Sequence, residues 1–254
     1  MGSCRASRRF SALVVLLAMA STGCQLRMTV DVDVNRDGGG VLSVALTADE
    51  QLQARAGAAD ADPLGDLVET GATLGQGWSV RETEGEDGDR TVMLTSAFAD
   101  PEEFSALAAD LAEALAADEA DLLEPLQVTV TEEDITVEGA AALRPTSAVR
   151  DYGLTPDKAV RLLRRSEAFE YQVVVTLPGE VLSAEGADTS GDDAQTVAWT
   201  VKPGKRVRIA ATGARPGPPW ARGLLGALGG GLVAGVVLWL LARRRRGGTA
   251  PPPT

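Results

Sequence analysis

Two apolar runs bracket this chain and leave about 190 residues between them to fold in water. Gly223 to Ala242, GLLGALGGGLVAGVVLWLLA, has no charge over 20 residues. At 1.5 Å per residue such a helix is about 30 Å long, the thickness of bilayer hydrocarbon. Arg243, Arg244, Arg245 and Arg246 follow at once, and basic flanks collect on the cytoplasmic side. Residues 223–242 are therefore expected to form one transmembrane helix and 243–254 a basic cytoplasmic tail, with everything upstream held outside the membrane. Gly226 with Gly230, and Gly231 with Gly235, are small residues at a spacing that lets two such helices pack as a dimer.

The first 23 residues read as a secretory leader. Arg5, Arg8 and Arg9 make a basic start, and Phe10 to Ala20 is an apolar run too short to span comfortably. Ser21-Thr22-Gly23-Cys24 resembles a bacterial lipobox, which makes Cys24 the candidate for a diacylglyceryl thioether. The usual Leu three places before the Cys is Ser21 here. Ala18-Met19-Ala20 offers ordinary cleavage as the alternative.

Cys4 and Cys24 are the two cysteines, and both lie within the leader or at its edge. The exported domain has no internal disulfide available and must be stabilised by its core. All 36 acidic residues lie between Asp31 and Asp193, against 16 of the 24 basic ones in the exported part, which leaves a net charge of about −20. Nucleic acid is excluded as a partner, because its phosphates need basic contacts.

Along the exported part, Leu26, Met28, Val30, Val32 and Val34 alternate with polar residues, then Leu42, Val44 and Leu46 do so again after an Asn/Asp/Gly turn. This predicts a hairpin. Thr47-Ala48-Asp49-Glu50 has the spacing of a capping box for a helix to about Ala58, and a second helix is expected over Pro63 to Leu74. Trp78 to Glu84 and Arg90 to Phe98 flank a Gly/Asp turn as a second hairpin. Asp100-Pro101-Glu102-Glu103 opens a helix with Phe104, Leu107, Leu111 and Leu115 on one face. A third strand pair spans Leu126 to Thr131 and Ile135 to Leu143. Thr155-Pro156-Asp157 opens a helix to about Ser166, followed by a strand at Phe169 to Leu177. Ala184 to Ala194 reads as an acidic loop, and Thr196 to Val201 and Arg206 to Ala211 as the last strands. Gly213 to Arg222 is a Pro/Gly-rich juxtamembrane linker at its start, so the domain itself is placed at 24–212. Hairpins separated by single helices predict an α+β fold: one antiparallel, curved sheet with helices on one face, plus the C-terminal transmembrane helix.

Catalytic chemistry is poorly provided for. The chain has no histidine, which removes Ser-His-Asp and Cys-His pairs and His-based zinc sites. There is no phosphate-binding loop. Glu132-Glu133-Asp134 and Asp192-Asp193 lack the spacing of a calcium loop and read as solvated turns. No enzyme, cofactor or metal is expected. Trp78, Phe98, Phe104, Phe169, Tyr171 and Trp199 read as core anchors. One constellation stands out from the acidic background. Lys158, Arg161 and Arg165 recur at helical spacing, with Arg164 adjacent, and form a basic stripe able to meet a phosphate headgroup.

A lipobox Cys that runs directly into an alternating strand (Cys24 to Val30), a mixed domain of about 190 residues, a closing Trp strand and Gly turn (Val197 to Val201, then Gly204), and a C-terminal apolar run with an Arg block resemble the LppM-type lipoproteins of actinobacteria. The resemblance implies an extracytoplasmic α+β domain with an apolar cavity and binding of phosphatidylinositol mannoside-type glycolipids. It carries over no site residue. The other class left open is a structural or interaction module of the cell envelope with a solid core.

Overall fold

The structure is a computed structural model that describes residues 25–217 except 59–60, 76, 117–119, 146–148, 151–152 and 191–193. The chain divides between Arg215 and Pro216, and the fold described belongs to the first unit. Cys24, the leader, the run Gly223 to Ala242 and the Arg block lie outside the described residues.

Strands β1 (Leu26–Val34) and β2 (Gly40–Ala48) form the expected hairpin. Its turn is shaped by Asn35, whose Oδ1 accepts from the backbone N–H groups of Asp37 and Gly39. Helix α1 (Glu50–Ala58) follows, but the expected capping box does not form. Thr47 stays in β2 and shares a hydrogen bond of 2.9 Å with Thr91, while Asp49 caps the helix by accepting from Leu52 N–H at 2.7 Å. Strand pairing uses Thr47 fully, so the cap moves to the first residue beyond the ladder.

Helix α2 (Gly65–Thr73) leads to the hairpin β3 (Ser79–Glu84) and β4 (Arg90–Phe98). Helix α3 (Pro101–Leu115) starts as the sequence indicates: Asp100 accepts from the N–H groups of Glu102 and Glu103, and Glu103 accepts from Ala99 N–H. Then come β5 (Ala120–Leu123), β6 (Gln127–Val130) and β7 (Asp134–Pro145), helix α4 (Pro156–Ser166), β8 (Phe169–Thr176), β9 (Val181–Ala184), β10 (Thr189–Ser190), β11 (Thr196–Thr200) and β12 (Arg206–Ala214).

The α+β class stands, but the expected sheet is corrected. There are two sheets: a seven-stranded one in the order β10-β11-β8-β1-β2-β4-β3, and a five-stranded one in the order β5-β7-β12-β9 with β6 on β7. The first is not purely antiparallel, because β1 pairs in parallel with β8, Leu26 opposite Phe169. A hairpin pattern reports only on pairing between strands close in sequence, and these partners are 143 residues apart. The C-terminal transmembrane helix is not part of this fold: residues 223–242 lie outside the described residues, and among the described residues no helix is long and apolar enough to cross a membrane. The linker also starts later than expected, since β12 carries Gly213 and Ala214. Arg215 is fastened beyond it, with its N–H on Glu133 O and its guanidinium on the carbonyls of Arg36 and Thr131.

The inner faces of both sheets and one stripe from each of the four helices form a single contiguous apolar cluster. Phe104 of α3 meets Phe98 of β4 with ring centroids 4.9 Å apart, and α2 packs so closely on the sheet that a Cβ at Gly71 would collide with Leu94 and Val80. Trp199 and Tyr171 are fully buried and satisfy their polar ends, Trp199 donating to Glu185 O and Tyr171 to Leu122 O. Burial pushes the Tyr171 hydroxyl far above its usual pKa, so it stays a donor. Trp78 and Phe169 pack at the margin of this cluster.

Candidate functional site

Helix α4 is set by its ends. Thr155 Oγ1 accepts from Lys158 N–H at the start, and Pro156 occupies the first helical position. At the other end Glu167 turns into the left-handed region (φ 50°), and Ser166 Oγ accepts from Ala168 N–H. Chain direction thus reverses into β8. Ala159 and Leu163 are buried; Lys158, Arg161, Arg164 and Arg165 are exposed.

The expected stripe Lys158, Arg161 and Arg165 is therefore present on one outward face. Among the described residues none of the three has an ion-pair partner. Four other arginines of the domain are paired with acids locally. Arg27 pairs with Glu170 at 2.8 Å, Arg90 with Asp62 and Glu82, and Arg208 with Glu138 and Glu185. Arg206 holds Glu124 by two hydrogen bonds, which lowers the Glu124 carboxyl below its usual range.

Tertiary structure adds cations that the spacing could not reveal. The turn after β11 lies against α4. Arg164 Nε donates to Pro203 O at 2.9 Å, and Gly204, at φ 74°, approaches so closely that a Cβ there would meet Val160 at 2.7 Å. Exposed Lys202 and Lys205 on this turn thereby join the α4 cations. Lys158, Lys202 and Lys205 are the only lysines in the chain, and all three lie on α4 or on the turn packed against it. A second signal was available in sequence, since Lys202-Pro203-Gly204-Lys205 is itself basic, but nothing local says which helix it meets.

The domain begins beside the same helix. Leu26 N–H donates to Ala168 O at 2.8 Å, two residues past the end of α4. Cys24, the expected lipidation site, lies outside the described residues; the first described residue, Gln25, donates its N–H to Asp49 Oδ2 at 2.6 Å, and Leu26 beside it makes the bond to Ala168.

A concavity of about 450 Å³ opens on the outer face of the five-stranded sheet. It is polar. Thr136 and Thr212 share a hydroxyl hydrogen bond of 3.1 Å, and Arg208 lies between Glu138 at 3.1 Å and Glu185 at 3.8 Å. It is not the apolar cavity expected beneath a sheet. Glu133 and Asp134 serve a turn in which both backbone N–H groups donate to Thr131 Oγ1. Among the described residues no acidic cluster is arranged to hold a metal ion.

A model of the LppM domain family matches residues 25–215. The chain belongs to the LppM family. The match spans the described fold from its first strand to Arg215. This LppM-family domain is also similar to the NMR structure of the folded domain of Mycobacterium tuberculosis LppM, at 16% identity over 78% of this chain and 94% of that one, with a TM-score of 0.45. A comparison with curated proteins found no match.

Proposed function

We propose that this lipoprotein-family domain is exported, tethered through Cys24, and binds an anionic lipid or glycolipid of the phosphatidylinositol mannoside type by its headgroup, without catalysing a reaction. One observation carries the reading: Lys158, Arg161 and Arg165 stand exposed, with no ion-pair partner among the described residues, on a domain in which acids outnumber bases about two to one. Guanidinium groups left unpaired at such a surface are suited to a phosphodiester, which they hold by paired N–H donors. Support for acyl-chain burial is weaker, because the core beneath the sheets is one cluster of packed side chains.

A second reading, a structural or interaction module of the envelope, draws on that solid core and on the uncovered outer face of the seven-stranded sheet. That face exposes Val41 and Met93 beside Thr29, Ser43 and Thr95. The two readings separate in one experiment. The full chain in detergent is titrated with phosphatidylinositol mannoside and with a neutral lipid of equal chain length. The anionic lipid should bind more tightly, and Arg161→Ala with Arg165→Ala should remove most of the difference. Absence of binding to either lipid leaves the interaction module.

A further inference from the structure

Six cations, Lys158, Arg161, Arg164 and Arg165 on α4 with Lys202 and Lys205 on the adjoining turn, face solvent together. In these two segments they are opposed by Asp157 and Glu167 alone. A single headgroup phosphate engages one or two such groups. Four spread along an eleven-residue helix, about 16 Å long, with two more on the turn, exceed what one phosphate can use. We propose that α4 and the Lys202–Lys205 turn form one docking face that lays the domain on an anionic bilayer surface, beside the point where the chain enters the fold at Gln25. The inference rests on the lipid-facing reading above for its partner and extends it from one headgroup to the leaflet.

Net negative charge argues against such docking unless the acids are kept away, and the topology keeps many of them away. The acidic turn Glu86, Asp87 and Asp89 joins β3 to β4. From β8, which follows α4, to β3 there are four strand steps across the sheet, about 19 Å. That is more than two screening lengths of about 8 Å at physiological salt. The cations therefore act at the surface while this acidic edge is screened. The start of β1 lies at the cationic side, since Leu26 N–H is bonded to Ala168 O.

Because every lysine of the chain lies on the proposed face, amine acylation reads it directly. The full chain is reconstituted into vesicles of phosphatidylcholine alone, or of phosphatidylcholine with phosphatidylglycerol, and the labelling rate of each lysine is measured by mass spectrometry. Labelling of Lys158, Lys202 and Lys205 should slow together in the anionic vesicles, recover at high salt, and stay fast in the neutral ones. Arg161→Gln with Arg165→Gln should weaken this association about 25-fold, given roughly fivefold per cation at an anionic surface. Equal labelling in both vesicles, or equal protection in both, overturns the docking face. Glycerophosphoinositol that protects Lys158 alone, with no added protection from anionic vesicles, would leave headgroup binding standing and remove the docking.

Discussion

Helices α3 and α4 both begin at a side-chain N-cap followed by proline, and both set one stripe into the same core. Their outward faces differ in sign. α3 exposes Glu102, Glu103, Asp110 and Glu113; α4 exposes Lys158, Arg161, Arg164 and Arg165. They differ too in how much they bury. α3 places Phe104, Ala108, Leu111, Ala112 and Leu115 in the core, whereas α4 places Ala159 and Leu163. The inward stripe sets each helix's share of stability, and the outward charge is free to vary. A basic face on an acidic domain is then not a requirement of folding, and that is why it reads as function.

The largest effect that separates the two helices is in the core. Phe104→Ala should destabilise the domain by about 3 to 5 kcal/mol and Leu163→Ala by about 2 to 3 kcal/mol, measured by urea unfolding. Equal losses would make α4 as much a core element as α3 and erase the contrast.

A smaller effect tests whether charge outside the core is conformationally idle everywhere. Asp31 is half-buried on the outer face of the seven-stranded sheet, between Ser43 of β2 and Val174 of β8, and its Oδ1 has no hydrogen-bond partner among the described residues. Burial, then the neighbouring Asp33, raises its pKa above the ordinary 3.8. The folded state therefore holds this proton more tightly than the unfolded state. The contribution of Asp31 to stability falls as pH rises from the ordinary value through the raised one, and the penalty is complete at neutral pH. Asp31→Asn should thus raise the urea midpoint at neutral pH, with the gain shrinking to nothing as pH drops below the ordinary carboxylate range. A gain that persists in acid would assign the effect to something other than this charge.

The smallest effect concerns the exposed stripe. Lys158→Ala, Arg161→Ala and Arg165→Ala combined should change stability by no more than about 0.5 kcal/mol, read as an unchanged urea midpoint. A large loss would show that the cations serve the fold, and the contrast with α3 would fail.

Most elements were legible before the structure. The alternation in Leu26 to Val34, the Asp100-Pro101 and Thr155-Pro156 helix starts, and the Phe104, Leu111 and Leu115 stripe are local patterns, and local hydrogen bonding with one buried face is enough to determine them. Short elements escaped: β5, β9 and β10 have two to four residues each, too few for a period to show.

By itself the sequence determined the α+β class, a domain core without disulfides, the LppM resemblance and the cationic stripe on α4. Tertiary structure alone decided that β1 pairs in parallel with β8, that β7 and β12 seed a second sheet, and that Lys202 and Lys205 arrive beside Arg164. The physical reason is the same in each case. Helix faces and hairpins are set by neighbours a few residues away, whereas these pairings join segments tens to over a hundred residues apart. They are chosen by which apolar faces can be buried together, a choice that no local period records.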